Sequence, residues 1–93
     1  MNIHYYGMLD SLESCYTYQT FDIDGTSMLL QNAPRFGFEP ATMTIKNPAM
    51  FIKKEEGYYR FVIEDYKVEV VNGSLKISDN KVKEIINEAI KLI

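Results

Sequence analysis

The sequence predicts an α+β fold: antiparallel hairpins and a β-meander, about six or seven strands in all, packed against one C-terminal amphipathic helix. Three observations carry this prediction. Asp24-Gly25 and Asn72-Gly73 each sit between strand-like runs, and these pairs suit the two-residue hairpin loop in which both central residues take positive φ. Apolar residues alternate with polar ones along much of 58–77, the period of a sheet with one buried face. From Val82 onward the apolar spacing becomes helical. The 93 residues are read as one domain. Its parts are N-terminal hairpins over 1–31, a Pro-punctuated irregular segment over 32–48, the meander over 49–78 and the helix over 79–92.

In the first part, Ile3 to Leu9 is a short aromatic strand, 10–14 a turn, and Cys15 to Ile23 a second strand favoured by Tyr16, Tyr18 and Phe21. A two-residue turn at Asp24-Gly25 pairs Ile23 with Thr26 and Phe21 with Met28, so the next arm is Thr26 to Gln31. The following segment is broken by Pro34, Pro40 and Pro48. It is expected to be irregular apart from a short strand at Thr42 to Lys46. Phe36, Phe38 and Met43 within it are expected to plug one end of the core.

The meander is read backwards from Asn72-Gly73. Its two-residue loop sets Val71 against Ser74, Val70 against Leu75, Glu69 against Lys76 and Val68 against Ile77. The apolar residues then share a face, and the Glu69–Lys76 pair across the ladder favours this register by about 0.2–1 kcal/mol. One turn earlier the inward set changes parity, from Tyr59, Phe61 and Ile63 to Tyr66, Val68 and Val70. A tight turn at Glu64-Asp65, pairing Ile63 with Tyr66 and Phe61 with Val68, restores a common face. The alternative is a bulge or a continuous bent strand. A turn at 55–57 pairs Ile52 with Tyr59 and Met50 with Phe61. Ser78 or Asp79 is a suitable N-cap for the helix. Its stripe of Val82, Ile85, Ile86, Ala89, Ile90 and Ile93 is expected to cover the apolar face of the sheet.

Composition narrows the function classes. A hydrophobic content of 46% with 25% charged residues is that of a globular chain rather than a disordered one. A net charge of -3 argues against general nucleic-acid binding, which rests on neutralising phosphates. No stretch reaches the roughly 20 apolar residues of a membrane-spanning helix, and 1–9 lacks the pattern of a signal peptide. The single cysteine, Cys15, excludes an internal disulfide and fits a reducing, cytoplasmic setting.

Chemistry-bearing motifs are sparse. Phe21-Asp22-Ile23-Asp24-Gly25-Thr26 resembles the first motif of the haloacid dehalogenase-type phosphatases, Asp-x-Asp-Gly-Thr after a strand. The resemblance implies Asp22 as nucleophile and Asp24 as proton donor, on a Rossmann-like core. It covers six residues. That core is longer than this chain and is built from βαβ units, a pattern missing here, so a plain Asp-Gly hairpin is the favoured reading. His4 is the only histidine, and His4 with Cys15 falls short of a transition-metal ligand set. No catalytic residue, cofactor or metal is therefore assigned. Asp22, Asp24 and His4 would have to converge on one concave site to serve an enzyme.

What remains is surface recognition. Seven tyrosines and no tryptophan give strands broad contact area with polar tips. The second face of the meander carries aromatics, one Arg and β-branched residues, types enriched at the energetic centres of interfaces. Phe51, Tyr58, Arg60, Val62 and Val71, joined by Tyr16 and Tyr18, are the candidate interface; the alternatives are that the N-terminal strands cover this face, forming a sandwich or small barrel, or that it is a solvated sheet face. The expected function is a small cytoplasmic protein-interaction module. It would be an inhibitor or adaptor, of a kind suited to phages and mobile elements. A small-molecule pocket lined by Phe36, Phe38, Tyr59 and Phe61 is the alternative, and self-association through an edge strand or the helix is a third.

Overall fold

The computed structural model of the chain describes residues 1–34 and 42–93. The strands are β1 (Asn2–Leu9), β2 (Tyr16–Ile23), β3 (Thr26–Pro34), β4 (Thr42–Lys46), β5 (Ala49–Lys54), β6 (Gly57–Glu64), β7 (Lys67–Val71) and β8 (Ser74–Lys76); helix α1 (Asp79–Ile90) follows. They form a five-stranded sheet of order β1-β6-β5-β3-β2 and a three-stranded sheet of order β4-β7-β8. All pairings are antiparallel. The fold is α+β with a single C-terminal helix.

The predicted hairpin registers are present. Ile23 pairs with Thr26 and Phe21 with Met28; Met50 pairs with Phe61 and Ile52 with Tyr59; Val71, Val70 and Glu69 pair with Ser74, Leu75 and Lys76. Both Asx-Gly turns carry positive φ at both positions, 50° and 80° at Asp24 and Gly25, 51° and 80° at Asn72 and Gly73. Strand β8 stops at Lys76, so Val68 gains no Ile77 partner.

The tight turn at Glu64-Asp65 is not formed, and neither Ile63–Tyr66 nor Phe61–Val68 pairs. Strand β6 belongs to the five-stranded sheet and β7 to the three-stranded one. The bent-strand alternative is the geometry found. β4 pairs with β7 and β5 with β6, so β4–β5 and β6–β7 form one long hairpin folded at a corner. The corner is held by backbone bonds, Asn47 N–H to Tyr66 C=O at 2.9 Å and Ile63 N–H to Pro48 C=O at 3.1 Å. The Asn47 side-chain oxygen also accepts from the Asp65 N–H at 3.0 Å. Asn47 and Asp65 both take positive φ, 50° and 56°, which Asn and Asp tolerate better than most residues. The bend changes the side-chain parity of both arms, so both inner faces still point into one core.

A second correction concerns the N-terminal part. β2 and β3 form a hairpin, but β1 pairs with β6, leaving β1 and β2 at opposite edges of the larger sheet. The core lies between the inner face of that sheet and the smaller sheet plus helix. Met28, Leu30, Met50, Ile52, Phe61 and Ile63 pack with Val68, Val70 and Leu75 and with Val82, Ile85, Ile86 and Ala89. Two side chains tie the sheets together: Gln19 Oε1 accepts from the Leu75 N–H at 2.9 Å, and Asn32 Nδ2 donates to the Gly73 C=O at 3.0 Å. Ser78 caps the helix, its hydroxyl accepting from the Lys81 N–H at 3.1 Å. Ile90 and Ile93 leave the predicted stripe, being 43% and 47% exposed, because the helix reaches the end of the core at Ala89.

Candidate functional site

The outer face of the five-stranded sheet, turned away from the core, gathers most of the candidate interface residues. Period-two alternation dictates which ones. In β5 and β6 the residues flanking Met50, Ile52, Phe61 and Ile63 point outward, so Phe51, Tyr58, Arg60 and Val62 share this face. In the β2–β3 hairpin the same parity brings Tyr18, opposite Gln31, and Thr20, opposite Leu29, to it.

Of these, Phe51, Arg60 and Tyr18 line a recess of about 350 Å³; Tyr58, Val62 and Thr20 lie outside it. Each strand of the sheet contributes: Leu9 from β1, Arg60 from β6, Ala49 and Phe51 from β5, Gln31 from β3, and Tyr16 and Tyr18 from β2. Glu13, from the connection between β1 and β2, lines it too. That connection joins opposite edges of the sheet. Tyr18 fastens it, the phenol donating to the Glu13 C=O at 3.0 Å.

The floor of the recess is Phe51, only 3% exposed although it points away from the core. The Tyr18 ring stands edge-on to it, centroids 5.7 Å apart and planes at 82°, the favoured arrangement of aromatic quadrupoles. Burial, and then the nearby Glu13 carboxylate, raise the Tyr18 phenol above its ordinary pKa. Arg60 is exposed, its guanidinium 5.7 Å from the centroid of the Tyr6 ring. Among the described residues no carboxylate forms an ion pair with it. Lys53 lies over the Tyr58 ring at 4.6 Å. The face thus offers a buried aromatic floor, tyrosine walls and a stacked guanidinium with donors to spare.

The candidate residues do not all meet here. Val71 lies on β7, in the other sheet, as do Lys67 and Glu69, because the chain changes sheets at Asp65. Tyr6, Leu9, Glu13 and Gln31 belong to the face but were not among the residues chosen from sequence. Only the pairing of β1 with β6 and the path of the 10–15 connection place them there. Of the proposed pocket residues, Phe36 and Phe38 lie outside the described residues, Phe61 is fully buried in the core and Tyr59 packs against it.

The three residues considered for catalysis do not converge. His4 is on β1, its Nε2 3.4 Å from Glu64. Asp22 is on β2, at the opposite edge of the sheet, and accepts a hydrogen bond from the Ser27 hydroxyl. Asp24 sits in the hairpin turn. With all strand pairs antiparallel, the parallel core that the phosphatase motif implies is absent from the described residues. No group of three His, Cys, Asp or Glu side chains in metal-holding geometry occurs among them either. No helix there is long and apolar enough to cross a membrane.

Comparison with known proteins found no matching family model, no matching curated protein and no matching solved structure.

Proposed function

We propose that the chain is a protein-interaction module that docks a partner protein on the outer face of its five-stranded sheet. One observation carries this reading: five strands and the β1–β2 connection converge on a single recess floored by Phe51 and walled by Tyr16, Tyr18 and Arg60. Aromatic and Arg side chains around a desolvated centre are the composition of binding hot spots. With no ion-pair partner among the described residues, the Arg60 guanidinium favours a partner segment that sets an apolar side chain on Phe51 and a carboxylate or carbonyl against Arg60, since Arg binds such groups through paired donors. The exposed, unbridged Cys15 fits action in a reducing compartment.

The test is the mass in solution by light scattering, for the chain alone and after incubation with lysate of the cells that produce it. A stoichiometric complex with another protein is the expected result. Recovery of the chain alone refutes the reading. The recess volume also lies in the range of small-ligand sites, about 300–1,000 Å³, which makes a small-molecule-binding domain the second reading. A ligand that raises the thermal midpoint of wild type but not of Phe51→Ala would decide for it.

A further inference from the structure

We propose that the partner segment docked in the recess carries opposite charges on the two sides of its apolar anchor, an acidic side chain against Arg60 and a basic one against Glu13. The inference rests on the docking reading of this recess and adds the second charge to it. The strand register places the two groups on opposite flanks of the floor. Arg60 on β6 pairs directly with Phe51 on β5, and Phe51 pairs with Leu29 on β3. Beyond β3 lies β2. Its Tyr18 stands edge-on to Phe51 and holds Glu13 by the backbone C=O. The guanidinium therefore borders the aromatic floor on the β6 side, and Glu13 borders it on the β2 side.

Both charged residues are exposed and both line the recess. They form no ion pair with each other, and among the described residues neither has another ion-pair partner. The Tyr6 ring lies against Arg60, and a guanidinium that stacks on a ring keeps its N–H edge for a carboxylate. The Glu13 carboxylate accepts from the Cys15 thiol, Sγ to Oε2 3.8 Å. A thiol is a weak donor, and a carboxylate has further acceptor sites to fill. That carboxylate also helps to raise the pKa of the Tyr18 phenol, which keeps it at the mouth of the recess. The recess is thus an aromatic floor with a positive and a negative flank. A neutral segment would leave both charges unmatched. A segment of one sign would set one attraction against one repulsion. Opposite charges, one on each side of the anchor, satisfy both flanks. In an extended segment residues two apart share a face, so the charges belong two positions before and after the anchor.

Four blocked peptides test it: Glu-Ala-Phe-Ala-Lys, Gln-Ala-Phe-Ala-Gln, Glu-Ala-Phe-Ala-Glu and Lys-Ala-Phe-Ala-Lys. Each is titrated into the full chain at low salt while the amide resonances of Tyr18, Phe51 and Arg60 are followed. The mixed-charge peptide is expected to bind wild type at least about fivefold tighter than the other three, the gain of two exposed ion pairs. Glu13→Lys makes both flanks positive and is expected to move the preference to the double-Glu peptide. Arg60→Glu makes both negative and is expected to move it to the double-Lys peptide. These are gains of binding that a misfolded variant cannot produce. A neutral peptide that binds wild type as tightly as the mixed one overturns the inference, as does a Glu13→Lys variant that keeps the wild-type preference. Either result leaves the docking face itself standing. No shift of the recess amides with any peptide up to about 10 mM overturns the inference too, and capture of a partner from lysate then judges the docking reading separately.

Discussion

Gly57 opens β6 at a point where only glycine fits. It is buried, its φ is 149°, and a Cβ there would run into the Leu9 carbonyl oxygen where β1 ends beside it. Gly57→Ala must strain the backbone or push β1 away, so a loss of about 1–3 kcal/mol is expected in chemical denaturation. Tyr18 is the second residue on which a local geometry depends. Tyr18→Phe removes the bond to Glu13 and is expected to cost about 0.5–1.5 kcal/mol at neutral pH. The wild-type phenol also has a folded-state pKa above its ordinary value of 10.0. The unfolded chain releases that proton first. The contribution is therefore full below about pH 10 and is lost as pH rises from there through the folded-state pKa. Thermal midpoints between about pH 8 and 11 should fall on the alkaline side, less steeply in Tyr18→Phe than in wild type.

Among the elements, the helix and the corner differ in how far local sequence determines them. Ser78 and the Val82, Ile85, Ile86, Ala89 stripe specify α1 completely, and each has a measurable share. Ser78→Ala should cost about 0.5–2 kcal/mol through the lost cap. Ile85→Ala, at a site with no solvent exposure, should cost about 2–5 kcal/mol through lost burial and a residual cavity. The hairpins at Asp24-Gly25 and Asn72-Gly73 were equally legible, because turn chemistry and apolar parity are local. The corner was not, although its trace is present. The inward set changes parity between Ile45 and Met50 as well as between Ile63 and Tyr66, so both arms of one long hairpin shift together. A lone parity change is read most simply as a turn; a matched pair on facing strands signals a bend. The partner of β1 had no local signal at all. Its pairing with β6 joins residues far apart in the chain, from Leu9 with Tyr58 to Asn2 with Glu64, and a period of two says which face a residue takes but not which strand lies beside it.

At the scale of the whole molecule, the core occupies one side of the five-stranded sheet, and the proposed docking face is the other side. The sequence named four lining residues, Tyr16, Tyr18, Phe51 and Arg60, because their types suit interfaces. It misplaced Val71, because the change of sheet at Asp65 was unseen. The account stands or falls on that outer face. The measurement that tests it most directly is quantitative capture from lysate of the producing cells, comparing wild type with Tyr16→Ala/Arg60→Glu and with Glu69→Lys on the opposite sheet. Circular dichroism would verify that all three are folded. The account predicts one stoichiometric partner, held by wild type and by Glu69→Lys and weakened at least tenfold in the double variant, the loss expected of a hot spot. Equal retention by the double variant, or loss in Glu69→Lys alone, would contradict it.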